Sequence, residues 1–466
     1  MASTLVRTVL VTGPGGAGRT TAAAASALAA ARRGQRVLLL TTGRPSLLDT
    51  VLGRTLPPPA AATRAPERGP APHAPWTAPV PAAPGLWAAR VEGDEHLREH
   101  LLALQERGGP VLDLLGAAPL HPDELAVLPG AGRLGVLRAL RAVRDLPAAA
   151  PGPAAAAPSS ASAAAAEHPA AEDGLPDAWD LVVVDLPPAQ ETLAVLALPE
   201  QLSWYLDRLL PPSRQAARAL RPVLAQLAGV PVPAPWLYGA ADRARAGLAA
   251  AREVLSAPTT TLRLVAEPGP AAVDALRRLR PGLALHGHRV DAVIAGKVLP
   301  TGSPDPWLAA LSGEQQTALK ALDEEWADPD TGTALYELPH LGREPRGPDD
   351  LAVLADALAH RSGTPERLPG APHGAVPGPG APAWTVEDRR AEEGVLVWRI
   401  PLAGAERGDL ELVRRGDELI VAAGPFRRIV PLPPALRRCT VSGAGLSGGE
   451  LRVRFVPEPG LWPRAT

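Results

Sequence analysis

Residues 7–21, RTVLVTGPGGAGRTT, constrain the fold of this chain more than any other stretch. Val9-Leu10-Val11 closes an apolar run, a glycine-rich turn follows, and Thr20-Thr21 open a long alanine-rich segment. A buried strand, a glycine loop whose amides converge on an anion, and a helix starting at that anion make a phosphate-binding loop, written G-x-x-x-x-G-K-[ST]. Gly13 to Thr20 reads G-P-G-G-A-G-R-T, so Arg19 stands where the lysine belongs. Spacing makes Gly13, Gly15, Gly16, Ala17, Gly18, Arg19, Thr20 and Thr21 the expected phosphate-contacting set.

Downstream the pattern continues as a P-loop fold would. Thr21 to Arg33 has no breaker before Gly34, and RVLLLT (36–41) reads as a fully buried strand, which completes one β-α-β unit. Asp180-Leu-Val-Val-Val-Asp185 is a second aliphatic strand ending in a carboxylate. Its tip belongs beside the phosphate loop, which makes Asp185 the expected Mg²⁺-associated acid and Thr20 its expected metal-side partner. Residues about 94–146 and 199–255 read as a helical subdomain. Further strands are expected at 86–91, 261–266, 290–299 and 334–338, with helices at 271–279, 313–326 and 349–360. Over residues 1–362 this alternation predicts an α/β architecture, a P-loop NTPase parallel sheet covered on both faces.

Two tracts interrupt that domain: 57–84 and 147–176 are dense in Pro and Ala and read as low-complexity insertions, the first of them disordered. Residues 363–390 read as a Gly/Pro linker. From about 391 to 458 the period becomes two, in short runs such as VLVWRIPL and GELRVRF separated by turn residues. That pattern predicts a small C-terminal antiparallel β-sandwich.

Composition removes several function classes. Aromatic residues are only 3%, so the cores must be aliphatic, and a net charge of −2 supplies no basic field for nucleic acid or acidic lipid. Lys297 and Lys320 are the only lysines among 47 basic residues, a bias that can swap Lys for Arg on a surface but not harmlessly at a phosphate site. Cys439 is the only cysteine, which excludes an intrachain disulfide, a CxxC zinc clamp and a cysteine metalloid site within one chain. His286 and His288 have no partner cluster nearby in sequence and read as loop residues. No apolar run approaches the ~20 residues of a membrane span. With no secretory leader recognisable, a cytoplasmic location is expected.

VLVTGPGGAGRTT, SLLDTVLG, ELAVLPG, DLVVVDLPPAQETL, LPEQLSWYLDRLLP and VDAVIAGKVLP together resemble the ArsA-like ATPases, the family of the arsenite-pump and tail-anchored-protein targeting ATPases. The match covers residues 5–360, and the WYLDRLLP string (204–211) is its most specific element. GDELIVAAGPFRRIVPLP and GELRVRF are similar to the α-crystallin (small heat-shock protein) domain appended to some members. The resemblance implies a homodimer that sandwiches ATP with Mg²⁺ and uses hydrolysis to move helices that handle a client or ion.

The sequence departs from the family's pattern at the chemistry. The loop lysine that crosses to the partner's nucleotide is Pro14 here, and the lysine on the β- and γ-phosphates is Arg19, longer and fork-shaped. The water-positioning Asp of the first switch falls at Gly43, or at Arg44 if the gap is placed otherwise. In the second switch Asp185 and Thr192 persist while Gln190 and Glu191 replace Gly and His. The adenine-reading Asn is Gly296. Losing a catalytic base or charge clamp costs ~10² to 10⁴ in rate, so hydrolysis is expected near background. The expected role is a catalytically degenerate, chaperone-like or protein-interaction scaffold, pairing with itself or with an intact homologue. Two alternatives stand beside it: an active ATPase using Arg19 with Asp185 and Glu191, and a holdase in which residues 394–456 bind the client.

Overall fold

The computed structural model describes residues 5–43, 45–57, 74–92, 102, 105, 121, 130–149, 175–210, 235–329, 331–359 and 384–458. Most of the first helical stretch and all of 211–234 lie outside these residues, as do Arg44, Trp462 and most of both Pro/Ala tracts.

An eight-stranded sheet organises the large domain. Its strands are β1 (Arg7–Thr12), β2 (Val37–Thr41), β3 (Val80–Ala83), β4 (Leu86–Arg90), β5 (Leu181–Asp185), β6 (Thr260–Ala266), β7 (Val290–Val298) and β8 (Ala334–Pro339), in the order β3-β4-β2-β5-β1-β6-β7-β8. All neighbouring pairs are parallel except β3 with β4. Every residue of β2, β5 and β6 is buried, as the aliphatic runs of β2 and β5 require when helices cover both faces, and β6 carries Arg263 inside as well.

One face packs on α1 (Arg19–Ala31), α2 (Pro45–Leu52) and α8 (Gly347–Ala359). Ten consecutive residues of α1, Ala22 to Ala31, are buried; their small side chains let its backbone lie close to the sheet and to α8. The other face packs on α3 (Ala131–Arg144), α4 (Ala189–Leu209), α5 (Pro235–Ser256), α6 (Pro270–His286) and α7 (Pro306–Trp326).

Two boundaries expected from composition move. The end of the 57–84 tract is not disordered: Trp76 and Thr77 are buried and β3 adds an antiparallel edge to β4. Low-complexity composition hid this because one tryptophan and a short edge strand need little periodic signal. Similarly, the last residues assigned to the 363–390 linker form β9 (Thr385–Arg389), which pairs with β10 (Val395–Pro401).

The C-terminal unit is a sandwich of two antiparallel sheets. The four-stranded one runs β14-β15-β10-β9 and the three-stranded one β11-β12-β13, with β11 Leu410–Arg415, β12 Glu418–Ala423, β13 Phe426–Pro431, β14 Cys439–Ser447 and β15 Glu450–Pro457. Alternation places Leu451, Val453 and Phe455 of β15 inside, opposite Leu419 and Val421 of β12. Trp398 is buried and Trp384 meets it edge-on at 5.6 Å, so both cover the sandwich.

The sandwich docks on α4 and α6. The Phe426 ring lies where a Cβ on Gly282 would fall, 2.7 Å away, so a glycine in α6 is what admits it. Arg428 donates to both oxygens of Glu200 at 3.0 and 3.3 Å and to the Leu285 carbonyl at 2.7 Å, and Trp204 Nε1 donates to Glu418 at 2.7 Å. His286 and His288 are therefore not free loop residues: they stack at 6.1 Å at the end of α6, beside Arg428.

Candidate nucleotide site

The loop between β1 and α1 has the backbone its glycines allow. Gly16 and Gly18 adopt φ of 79° and 82°, in the left-handed region that side chains disfavour, and Gly18 caps α1. A Cβ on Gly13 would lie 1.9 Å from the Val265 carbonyl, so this position is closed to any other residue. Gly15 and Gly16 are exposed, Ala17 is buried, and Thr21 stands on the first turn of α1.

The loop's cation does not lie over it. Arg19 Nη1 donates to the backbone carbonyl of Leu186 at 2.5 Å, in the segment that leaves β5. Burial lowers the Arg19 pKa against the opposing pull of Asp185 and Glu191.

Thr20 and Asp185 come together as sequence spacing implied. Thr20 Oγ1 donates to Asp185 Oδ2 at 2.7 Å, and Thr41 Oγ1, at the end of β2, donates to the same oxygen at 2.8 Å. Desolvation raises the Asp185 pKa, with the two hydroxyl bonds and Arg19 acting against it. Strand order explains the convergence, since β1 and β2 flank β5 in the sheet. A hydroxyl and a carboxylate are hard oxygen donors of the type Mg²⁺ takes, so this end of the site fits the metal in kind. Among the described residues no group of three or more His, Cys, Asp or Glu could hold a metal ion.

The positions that depart from the family's pattern lie around this pair. Gly43 stands with its Cα side facing the acid: a Cβ there would be 3.4 Å from Asp185 Oδ2 and 3.6 Å from Thr20 Oγ1, so an acidic side chain at this position would reach the pair. Glu191 is turned to Arg133 of α3, 3.6 Å away. Thr192 instead serves the structure, its hydroxyl 3.0 Å from that of Thr12 and donating to the Pro187 carbonyl at 2.8 Å. At the base end, a Cβ on Gly296 would meet the Ala17 carbonyl at 3.1 Å. The hollow bounded by Ala17, Gly18, Thr21, Gly296 and the 338–345 segment holds about 60 Å³, against roughly 300 Å³ for the smallest usual ligand sites.

Sequence reasoning missed Thr41 and Lys297. Lys297 Nζ donates to the Gly16 carbonyl at 3.0 Å and pairs with Glu267 at 2.9 Å, and at φ 58° it is the one non-glycine residue with positive φ among those described. A lysine in a chain with only two was the available signal. Thr41 gave none, because a threonine ending a strand is ordinary.

Known proteins bear on this geometry. The model of the anion-transporting ATPase family matches residues 6–52 and 172–360, and that of the HSP20-like domain found in ArsA matches residues 393–455. An uncharacterized protein of Streptomyces coelicolor is 49% identical over 98% of this chain and 100% of its own length. A Mycobacterium tuberculosis protein is 31% identical over 98% of this chain and 97% of its own. A protein of Aquifex aeolicus that carries the name arsenical pump-driving ATPase 1 is 25% identical over 59% of this chain and 66% of its own. No helix among the described residues is long and apolar enough to cross a membrane. The strand order around the glycine loop, the Thr20–Asp185 pair and both matches lead to one assignment: the chain belongs to the ArsA family of anion-transporting ATPases and ends in that family's HSP20-like domain.

Proposed function

We propose that this chain is a catalytically degenerate ArsA-family protein, a cytoplasmic protein-interaction scaffold that pairs with itself or with an intact homologue supplying turnover. The observation supporting this reading is the contact of Arg19, whose Nη1 donates to the Leu186 carbonyl outside the glycine loop. Pro14 has no charge to offer a partner's nucleotide, and Gly43 has no base to orient water. ATP with Mg²⁺ would meet Gly13, Gly15, Gly16, Ala17, Gly18, Thr20 and Thr21 through the backbone cradle, with Asp185 behind Thr20. When bound, the metal would neutralise phosphate charge there.

The retained Thr20–Asp185 contact favours a second reading, an active ATPase that recruits Arg19 once nucleotide displaces it from Leu186. Phosphate release from the full chain with Mg-ATP separates the two. A rate at the level of buffer alone is expected. A rate within tenfold of an intact family member, abolished by Arg19→Ala, would establish the enzyme.

A further inference from the structure

The WYLDRLLP string, the most family-specific stretch of the sequence, takes no part in the nucleotide site. Its described residues, 204–210, close α4 roughly 22 Å beyond the first turn of that helix, at 1.5 Å per residue. α4 divides at Pro199. Its buried residues run from Ala189 to Pro199, none lies between Glu200 and Leu209, and within that second half only Leu202 packs partly on the core. Pro199 has no amide to donate to the Val195 carbonyl, so the helix bends most easily there. A segment with so little buried apolar surface opens at low cost unless something else holds it.

Two elements supply that hold. Arg245 of α5 donates to the Asp207 carboxylate at 2.9 Å and to the Leu206 and Leu210 carbonyls at 3.2 and 2.5 Å, which ties α5 to this half of α4. The sandwich grips it as well. Arg428 of β13 donates to both Glu200 oxygens at 3.0 and 3.3 Å, Trp204 Nε1 donates to Glu418 of β12 at 2.7 Å, and Arg208 reaches the same carboxylate at 4.0 Å. Positions 200, 204 and 208 are four apart, so a single face of the helix meets the β12–β13 hairpin. The hairpin is also fixed to α6, by Phe426 at Gly282 and by Arg428 at the Leu285 carbonyl, and it therefore spans α4 and α6. Its links to α4 are polar and partly exposed, a class of contact that contributes little singly and releases readily.

We infer that the sandwich is a releasable strap on a hinged arm. The hairpin holds residues 200–209 of α4, and α5 with them, against α6; when it lets go, the arm swings at Pro199 while residues 189–198, which include the end of the second switch, stay packed. WYLDRLLP serves both holds, with Trp204 and Arg208 on the sandwich and Asp207 on α5. This device goes beyond the scaffold reading and does not depend on it, because no nucleotide takes part.

The test is amide hydrogen exchange of the full chain without nucleotide, read by mass spectrometry. An Arg428→Met, Glu418→Ala double variant removes the hold from the sandwich side and leaves the sequence of α4 intact. Exchange over 200–209 should rise at least about tenfold while 189–198 stays within about twofold of the unaltered chain. Adding Pro199→Ala restores the missing amide donor and should slow the 200–209 exchange of the double variant by at least about threefold. Arg399→Met, which removes a pair to Glu450 inside the four-stranded sheet, should leave α4 unchanged. Circular dichroism shows that each variant is folded, and Arg428→Met alone should give a smaller rise in the same segment. Unchanged exchange over 200–209 in both strap variants, an equal rise over 189–198, no slowing by Pro199→Ala, or release by Arg399→Met would each overturn the inference.

Discussion

Replacing Arg19 is the sharpest probe of how the glycine loop is used. Its bond to the Leu186 carbonyl is 2.5 Å long and part-buried, and a hydrogen bond from a charged donor contributes about 1.5–3 kcal/mol. A phosphate must break that bond before the guanidinium can serve it, so affinity is reduced by a factor between about 10 and 150, at 1.4 kcal/mol per tenfold. Two variants follow from this. Arg19→Ala takes away the cation together with the Leu186 bond that competes for it, and should bind Mg-ATP within about threefold of the unaltered chain, because the two effects oppose each other at similar size. Arg19→Lys places a compact ammonium with three rotatable donors in a loop of the matching pattern, and should tighten binding at least about tenfold. Phosphate release should stay at background in both, since Gly43 and Pro14 are untouched. Isothermal calorimetry with a slowly hydrolysed ATP analogue measures the affinities. If Arg19→Ala binds ten times more weakly than the unaltered chain, Arg19 already holds phosphate and the reasoning fails.

Three further outcomes follow from the packing. Gly282→Leu drives a side chain into the space of the Phe426 ring. It should cost about 1–3 kcal/mol and loosen the sandwich from α6, read as faster proteolysis between 363 and 383 with the isolated sheets intact; unchanged cleavage would show that this packing does not hold the domains together. His286 and His288 have folded pKa values pushed down to about 3 and about 4, chiefly by desolvation, whereas unfolded histidine titrates near 6.5. Below pH 6.5 the unfolded chain therefore binds protons that the folded one refuses, and stability falls by up to about 1.4 kcal/mol per pH unit for each histidine. Urea midpoints between pH 7.5 and 5 should drop accordingly, and the drop should flatten in a His286→Gln, His288→Gln double variant. Finally, Arg263 of β6 and Asp291 of β7 form an ion pair at 3.2 Å with side chains 1% and 5% exposed. Asp291→Ala strands a buried guanidinium and should cost about 3–5 kcal/mol in denaturant titration; a drop in stability below about 1 kcal/mol would mean that water reaches the pair.

Much of the fold was legible because it rests on local pattern. Aliphatic runs ending in Thr12, Thr41 and Asp185, a glycine loop and an alanine helix permit little except a parallel sheet with phosphate-loop geometry, and a change of period near residue 391 announces a second module. The edge strand Val80–Ala83 and the strand Thr385–Arg389 escaped, since both are short and sit in proline-rich surroundings where propensity argues against them. In the candidate site, the departures at 14, 19, 43 and 296 were readable residue by residue, because each is a change of side-chain type within a recognisable motif. Their consequences were not. That Arg19 turns to Leu186, that Thr41 shares an oxygen of Asp185 with Thr20, and that Lys297 bonds the glycine loop all depend on β1, β2, β5 and β7 converging at one end of the sheet. The docking of the sandwich belongs to the same class. Phe426 against Gly282 and Arg428 against Glu200 join residues 144 and 228 positions apart, and no local rule relates such distant residues. The sequence alone determined which residues depart from the family's pattern and which modules form, since those follow from side-chain type and period. Only the tertiary structure decided where the remaining charges point and how the sandwich docks on α4 and α6, since those follow from which surfaces are brought face to face.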